Sequence, residues 1–143
     1  MIAQTLTTSF KTQLLTATHD FTASTGDTFK MALYLSTASL GADTTVYTAT
    51  GEITDTGYVA GGIALTAITP TSSGTTAYTS FSAATFTGVV SSVIAGALIY
   101  NSSKSNKSVA VLDFGSMKTS SVATPLVITF PTASATTAII RLP

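Results

Sequence analysis

The chain has 143 residues, with six basic and six acidic side chains, no net charge and no cysteine. Charged residues make up 8% of it, against ~25% in an ordinary soluble domain, and hydrophobic residues make up 45%. The missing cysteines exclude disulfides and thiolate metal sites. The balanced charge argues against a nucleic-acid partner, which would require a basic patch for the phosphates. At this length we expect one domain with a sizeable core.

Threonine and serine dominate the polar residues, with 30 and 18 copies. Threonine is β-branched and fits a pleated, half-exposed strand, so the composition predicts an all-β protein. Hydroxyl groups would also take the place of charged groups on the surface of such a protein. Permanent interfaces are depleted in charge, so we interpret this as a surface covered by other subunits. The alternative is a stand-alone, Thr-rich β-protein.

The N-terminus has neither the basic start nor the long apolar run of a signal peptide. The most apolar window, Gly88–Tyr100, is too short to span a bilayer, which takes ~20 residues. We therefore expect no membrane partner and a cytoplasmic location until assembly.

One short helix is predicted near the N-terminus, with Thr8 or Ser9 as its cap. Its loose apolar face consists of Phe10, Leu14, Leu15 and Phe21. We expect residues 1–28 to form an N-terminal arm that carries this helix and reaches outward, ahead of a single β domain at 29–143. The predicted interaction residues are the four of that face together with Tyr58.

The stretch Val90–Phe114 predicts the central hairpin, because two apolar runs flank a polar turn that contains Lys104 and Lys107. Phe29–Ser36 alternates with a period of two, which is typical of a strand. Further strands are predicted at Ile63–Ile68 (ended by Pro70), Ala77–Phe86, Leu126–Phe130 and Ala138–Leu142, with a short strand or lead-in at Val46–Thr50 and a polar loop at Gly115–Pro125. Eight or nine short strands favour a β-sandwich or a partly closed barrel.

Candidate catalytic groups are scarce. His19 is the single histidine, and we expect it to cap the C-terminal end of the helix, where a cation is favoured. No Gly-x-Ser-x-Gly elbow is present. The stretch Gly57–Gly62 lacks the Gly-Lys-Ser/Thr of a phosphate loop, and a turn or bulge at Gly61–Gly62 is the better interpretation. We predict no catalytic residue and no cofactor.

The acidic residues offer little more. Asp43, Glu52 and Asp55 could converge on Ca²⁺, but their spacing is not that of an EF-hand, and we expect them to solubilise loops. A pair of carboxylates could hydrolyse glycosides, although the chain has no tryptophan platform for a sugar. We predict no metal site. The five tyrosines are either interface anchors or core residues.

Five segments carry a further signal: the run Phe29–Ala42 (FKMALYLSTASLGA), Tyr47–Glu52, Gly57–Gly62, Ala97–Asn101 and the closing Ala138–Leu142. Together they resemble small virion proteins of tailed bacteriophages. The resemblance covers most of the chain and brings no catalytic motif. It implies a structural, non-enzymatic protein of the virion, assembled in the host cytoplasm. The expected role is a head decoration (cement) protein, often a trimer, whose partners are itself and the major capsid protein or other virion proteins.

Two alternatives remain open. The first is a tail, neck or fibre-attachment component of the same particle, although the chain has no repeats or heptads that would suggest a long fibre. The second is a carbohydrate-binding module or small glycosidase that uses the acids and tyrosines.

Overall fold

The computed structural model describes residues 1–143 and contains ten strands and one α-helix. The predicted all-β fold with one short helix is confirmed. No helix has the length and apolarity needed to cross a membrane. In chain order the elements are β1 (Thr5–Leu6), α1 (Thr8–Leu15), β2 (Phe29–Tyr34), β3 (Ile63–Leu65), β4 (Ala67–Ser73), β5 (Thr76–Phe81), β6 (Ala84–Phe86), β7 (Ser91–Asn101), β8 (Lys107–Ser120), β9 (Leu126–Ile128) and β10 (Ile140–Leu142).

The β7–β8 hairpin lies at the centre of the largest sheet, as its apolar runs predicted. This sheet is antiparallel and has the order β1-β8-β7-β2-β3. A 3₁₀ turn at Ser102–Lys104 closes the hairpin, and Ser105 and Asn106 follow it with positive φ. Both hairpin strands are buried near this end, which explains their nearly continuous apolar sequence.

Strand β2 has a separate apolar core on each of its faces. Phe29, Met31 and Leu33 belong to the main core, whereas Ala32 and Tyr34 belong to a second one. All five side chains are at most 1% exposed. The period of two seen in the sequence therefore distributes side chains between two cores, and not between a core and solvent.

Two small sheets cover one face of the large sheet. They have the orders β10-β5-β4 and β6-β9, and they contribute Phe81, Phe86 and Ile140 to the main core. This packing of sheet on sheet gives a β-sandwich. The opposite face of the large sheet is covered by the N-terminus and the segment after β2, through Ile2, Ala38 and Leu40.

The first 28 residues pack against the β domain. Strand β1 pairs with β8, and Phe10 and Phe21 lie in the main core. The helix begins after Thr7, whose side chain accepts a hydrogen bond from the Phe10 amide, and ends at Leu15. Phe21 therefore lies beyond the helix, and Leu15 points into solvent with 89% of its surface exposed.

Three segments differ from the prediction. Pro70 does not end a strand but lies within β4, an edge strand whose register shifts between Ile68 and Thr71. Edge strands and bulges are the places in a sheet that tolerate proline. Residues 115–120 belong to β8 and are not a loop, because Gly115 with φ +69° lets the chain bulge and continue. Residues 46–50 form only an isolated bridge, from Val46 to Lys107.

Candidate functional site

Glu52 is a buried acidic side chain that accepts three hydrogen bonds. Its residue is only 6% exposed, and its backbone forms a bridge to Tyr34 of β2. One carboxylate oxygen, Oε1, accepts hydrogen bonds from the Tyr58 hydroxyl at 2.5 Å and the Gly61 amide at 2.7 Å. The other, Oε2, accepts one from the Tyr47 hydroxyl at 2.5 Å. No basic side chain forms an ion pair with Glu52, so these three donors stabilise its charge.

The surrounding tyrosines form a connected network with Glu52. Tyr100 donates to the Gly61 carbonyl at 2.8 Å, and its ring stacks on Tyr47 with centroids 4.9 Å apart. Tyr58 also accepts from the Leu33 amide at 3.0 Å. Burial is the largest cause of a raised pKa at Tyr47, Tyr58 and Tyr100, and the Glu52 charge raises it further. The phenols therefore remain protonated hydrogen-bond donors at neutral pH.

This network attaches the segment 46–62 to the large sheet. The turn at Gly61–Gly62 brings the chain back against β2, and both glycines have positive φ. A Cβ on Gly62 would lie 1.7 Å from the Met31 carbonyl oxygen, so only glycine fits there. The glycine-rich stretch is thus a turn, as the sequence indicated, and the Gly61 amide is already bonded to Glu52.

His19 is not the helix cap that the sequence suggested. Its ring lies between α1 and the main core, with its centroid 5.1 Å from that of Phe10. Its Nε2–H donates to Gln13 Oε1 at 2.7 Å, and its Nδ1 accepts from Asn101 Nδ2 at 2.9 Å. Asn101 also donates to Asp27 Oδ2 at 2.7 Å. Both ring nitrogens are therefore engaged in the neutral form.

Burial lowers the pKa of His19 below its ordinary value. The nearby charge of Asp27 opposes this shift, whereas Lys107 and Lys104 add to it. Asp27 and Lys104 form an ion pair at 3.5 Å. The histidine therefore connects the helix to the tip of the central hairpin as a neutral side chain.

The three acids that could have shared a calcium ion do not converge. No group of three or more His, Cys, Asp or Glu side chains is close enough to hold a metal together. Asp43 lines an open cavity of about 410 Å³ formed by residues 39–46 and Thr48, and Asp55 lines another of about 430 Å³. Glu52 is buried among tyrosines, so the expectation that it solubilises a loop was wrong.

The five predicted interaction residues lie in different environments. Phe10 and Phe21 are core residues of this chain and are not accessible contacts. Leu14 is partly buried against the same core, and Tyr58 stacks on Phe86 while its hydroxyl bonds to Glu52. Of the five, Leu15 alone presents its side chain fully to solvent.

The sequence analysis missed most of the exposed apolar surface. The exposed hydrophobic residues are scattered along the chain with no common helical or strand period, so no pattern in the sequence marked them. Ten large hydrophobic side chains are exposed, nearly as many as the chain has charged residues: Met1, Leu15, Val46, Val59, Ile68, Val90, Met117, Val122, Val127 and Leu142.

Two mainly apolar cavities border this surface. One, of about 230 Å³, lies between α1 and the β5–β10 pair and is lined by Leu14, Phe21, Tyr78 and Leu142 among others, with Asp20 also in its lining. The second, of about 210 Å³, is formed by Phe114, Lys118 and residues 126–128. Both suit an apolar side chain or a small ligand.

No protein-family model, curated protein or solved structure matches this chain.

Proposed function

We propose that this chain is a non-enzymatic structural protein of a tailed-bacteriophage virion, a head decoration (cement) protein that forms a homotrimer on the major capsid protein. The observation that carries the proposal is the surface, which combines ten exposed large hydrophobic side chains with only six basic and six acidic residues in the whole chain. Surfaces between permanent partners have this composition, because charged groups lose their hydration when they are buried there.

The size of the surface is compatible with such an assembly. The chain exposes 7130 Å² on its own. A standard interface takes about 800 Å² from each partner, so two neighbours in a trimer would cover roughly a fifth of this surface. A threefold arrangement would bury part of the exposed apolar side chains and leave other faces for the capsid.

The polar clusters support a structural role. The Glu52 carboxylate accepts three hydrogen bonds from its own chain, and both nitrogens of His19 are bonded. A general base must be able to reach its substrate, whereas Glu52 is only 6% exposed. The resemblance to small phage virion proteins suggests the virion as the particle in which this protein would have its structural role.

The proposal is tested by adding the purified protein to heads that lack decoration. Binding should increase the sedimentation rate of the heads and raise the temperature at which they break open. Immuno-electron microscopy of intact particles should then label the shell. Heads that remain unchanged, or a label confined to the tail or neck, would contradict a decoration role.

A carbohydrate-binding module is the second candidate, favoured by the cavity that Tyr78 and Asp20 line together. The Tyr78 hydroxyl forms no hydrogen bond within the chain, whereas the Tyr58 hydroxyl is bonded to Glu52. A glycan screen should show saturable binding that Tyr78→Ala removes. Absence of binding to the whole panel would exclude this candidate.

A further inference from the structure

We propose that residues 16–28, which connect α1 to β2 and are called the strap below, open locally when His19 is protonated. The strap contains no helix or strand, and Phe21 is its only buried residue. Through His19, Asp20 and Phe21 it forms one wall of the apolar cavity of about 230 Å³, and the β5–β10 pair lines the other side. Opening of the strap therefore uncovers apolar surface while the sheets remain folded.

The hydrogen bonds of His19 fit only a neutral ring. Nε2–H donates to Gln13 Oε1 of α1 at 2.7 Å, and Nδ1 accepts from Asn101 Nδ2, at the end of β7, at 2.9 Å. The second contact requires a free lone pair on Nδ1. A proton on Nδ1 would point at an NH₂ group that also donates, so the contact with β7 would become repulsive.

Asn101 cannot turn over to accept this proton. The residue is fully buried, its Nδ2 also donates to Asp27 Oδ2 at 2.7 Å, and its Oδ1 accepts from the Ser103 amide at 3.0 Å. A flipped amide would place Oδ1 against the Asp27 carboxylate and the NH₂ group against the Ser103 N–H. Two favourable contacts would be lost, so Asn101 remains a donor toward His19.

The acidic groups near His19 have other partners. Asp27 favours a positive charge on the ring, but its Oδ2 already accepts from the Asp20 amide and Asn101, and its Oδ1 pairs with Lys104. The Asp20 carboxylate is exposed and accepts from the Thr22 amide at 2.9 Å. Neither carboxylate forms a hydrogen bond with the His19 ring.

The remaining surroundings of the ring disfavour a positive charge. Burial is the largest cause of the lowered pKa of His19, and Lys107 and Lys104 at the hairpin tip lower it further. The side chains of α1 and β2 that contact the ring are uncharged: Phe10, Gln13 and Phe29. The folded strap therefore binds a proton more weakly than a histidine in water does.

The strap also contains strained backbone. Ala17 and Ser24 have φ of 53° and 68°, in the left-handed region that residues other than glycine rarely adopt. Few contacts oppose opening: the Phe21 ring stacks on Phe29 with centroids 4.3 Å apart, and the Ala23 amide donates to Thr69 Oγ1 at 2.9 Å. A segment with few buried contacts opens more readily than the strands beside it.

Opening exposes His19 to water, where its pKa returns to 6.5. Because the open form then binds the proton more tightly, the opening equilibrium rises as the pH falls below about 6.5. Loss of one hydrogen bond changes such an equilibrium roughly twofold to tenfold. This inference is independent of the proposed role in the virion.

The test is hydrogen–deuterium exchange of the full chain at pH 7.5 and pH 5.5, with exchange times corrected for the intrinsic rate at each pH. The amides of Thr18, Gly26 and Asp27 report on the strap, because each is hydrogen-bonded when it is closed. At pH 5.5 their opening should increase about twofold to tenfold, while peptides from the β7–β8 hairpin keep their protection. Unchanged protection of the strap, or an equal loss of protection in the hairpin, would overturn the proposal.

Two variants without a titrating ring identify the responsible group, since His19 is the only histidine of the chain. His19→Gln keeps a polar side chain, His19→Phe keeps an aromatic ring, and in both the strap should exchange with the same protection at the two pH values. Ala17→Gly is the matched control, because it changes the backbone strain but leaves His19 in place. Its strap should keep the pH response of the wild type. A pH response that persists in either His19 variant, or one that disappears in Ala17→Gly, would contradict the assignment.

Discussion

The Glu52 side chain helps to attach the segment 46–62 to the sheet, together with backbone hydrogen bonds from the Ile53 amide to Leu33 and from the Leu35 amide to Gly51. We expect Glu52→Gln to lower the free energy of unfolding by about 2–4 kcal/mol, because a glutamine replaces one accepting oxygen with an NH₂ group that faces a donor. Urea denaturation of the two proteins measures the difference. Asp43→Asn is the control, and this change at a loop carboxylate with no partner should remain within about 0.5 kcal/mol of the wild type. A Glu52→Gln protein as stable as the wild type would show that the tyrosine network does not hold this segment.

His19 makes stability depend on pH. Since burial lowers its pKa in the folded state below the reference value of 6.5, the unfolded chain binds more protons as the pH falls through this range. The stabilisation is thus fully present above pH 6.5 and is lost progressively below it. We expect the free energy of unfolding to decrease between about pH 7 and pH 5, where histidine is the side chain that titrates.

The variant His19→Phe keeps an aromatic ring beside Phe10 and Phe21 but cannot take up a proton. Its unfolding free energy should be independent of pH over the same interval, apart from a constant loss of the hydrogen bonds to Gln13 and Asn101. If the wild type and the variant show the same pH slope, His19 is not the group responsible.

The sequence could not reveal the partners of these residues. The sequence predicts that Glu52 is a solvated loop residue. Its hydrogen-bond donors, at positions 47, 58 and 61, come close to its carboxylate only when the segment folds back on β2. Asn101 forms a hydrogen bond with His19, which is 82 positions away in the sequence. Such contacts depend on sheet register and loop paths, which residue types and local periodicity do not encode.

At the scale of elements, the Gly61–Gly62 turn positions β3 against β2. Gly62 and Gly74 both have positive φ, +70° and +58°, so alanine is strained at each. A Cβ at Gly62 would collide with the Met31 backbone, whereas a Cβ at Gly74 would meet no atom within 4 Å. We expect Gly74→Ala to cost about 1–2 kcal/mol, the backbone strain alone, and Gly62→Ala to cost clearly more.

Chemical denaturation of the two glycine variants measures this difference. Because backbone strain is common to both, the excess at Gly62 reports the close approach of the turn to β2. Equal losses would mean that β3 does not pack against β2 as closely as described.

Elements with a strong local signal were predictable. The alternation over Phe29–Tyr34 and the two apolar runs of the β7–β8 hairpin gave strands at the correct places. Pro70 and the polar residues that follow Gly115 predicted strand ends that the structure does not have, because β4 and β8 each continue past an irregularity at these positions. Whether a residue that disfavours strands ends a strand or only bends it depends on the neighbouring strand, which the local sequence does not show.

At the scale of the whole molecule, the hydrophobic residues fall into two sets, one packed in the cores and one exposed at the surface. Two apolar cores, one on each face of the large sheet, account for much of the high hydrophobic content. The ten exposed hydrophobic side chains are not used by either core. A protein with so few charges and so many exposed apolar groups is poorly protected from association.

Self-association is thus the central consequence of this surface. The most direct measurement is the mass of the purified chain by light scattering coupled to size-exclusion chromatography, over a range of concentrations. We predict a single species with three times the 14.5-kDa mass of the chain that persists on dilution. A stable monomer at all concentrations would contradict the trimer and show that the exposed apolar side chains are not a surface for self-assembly.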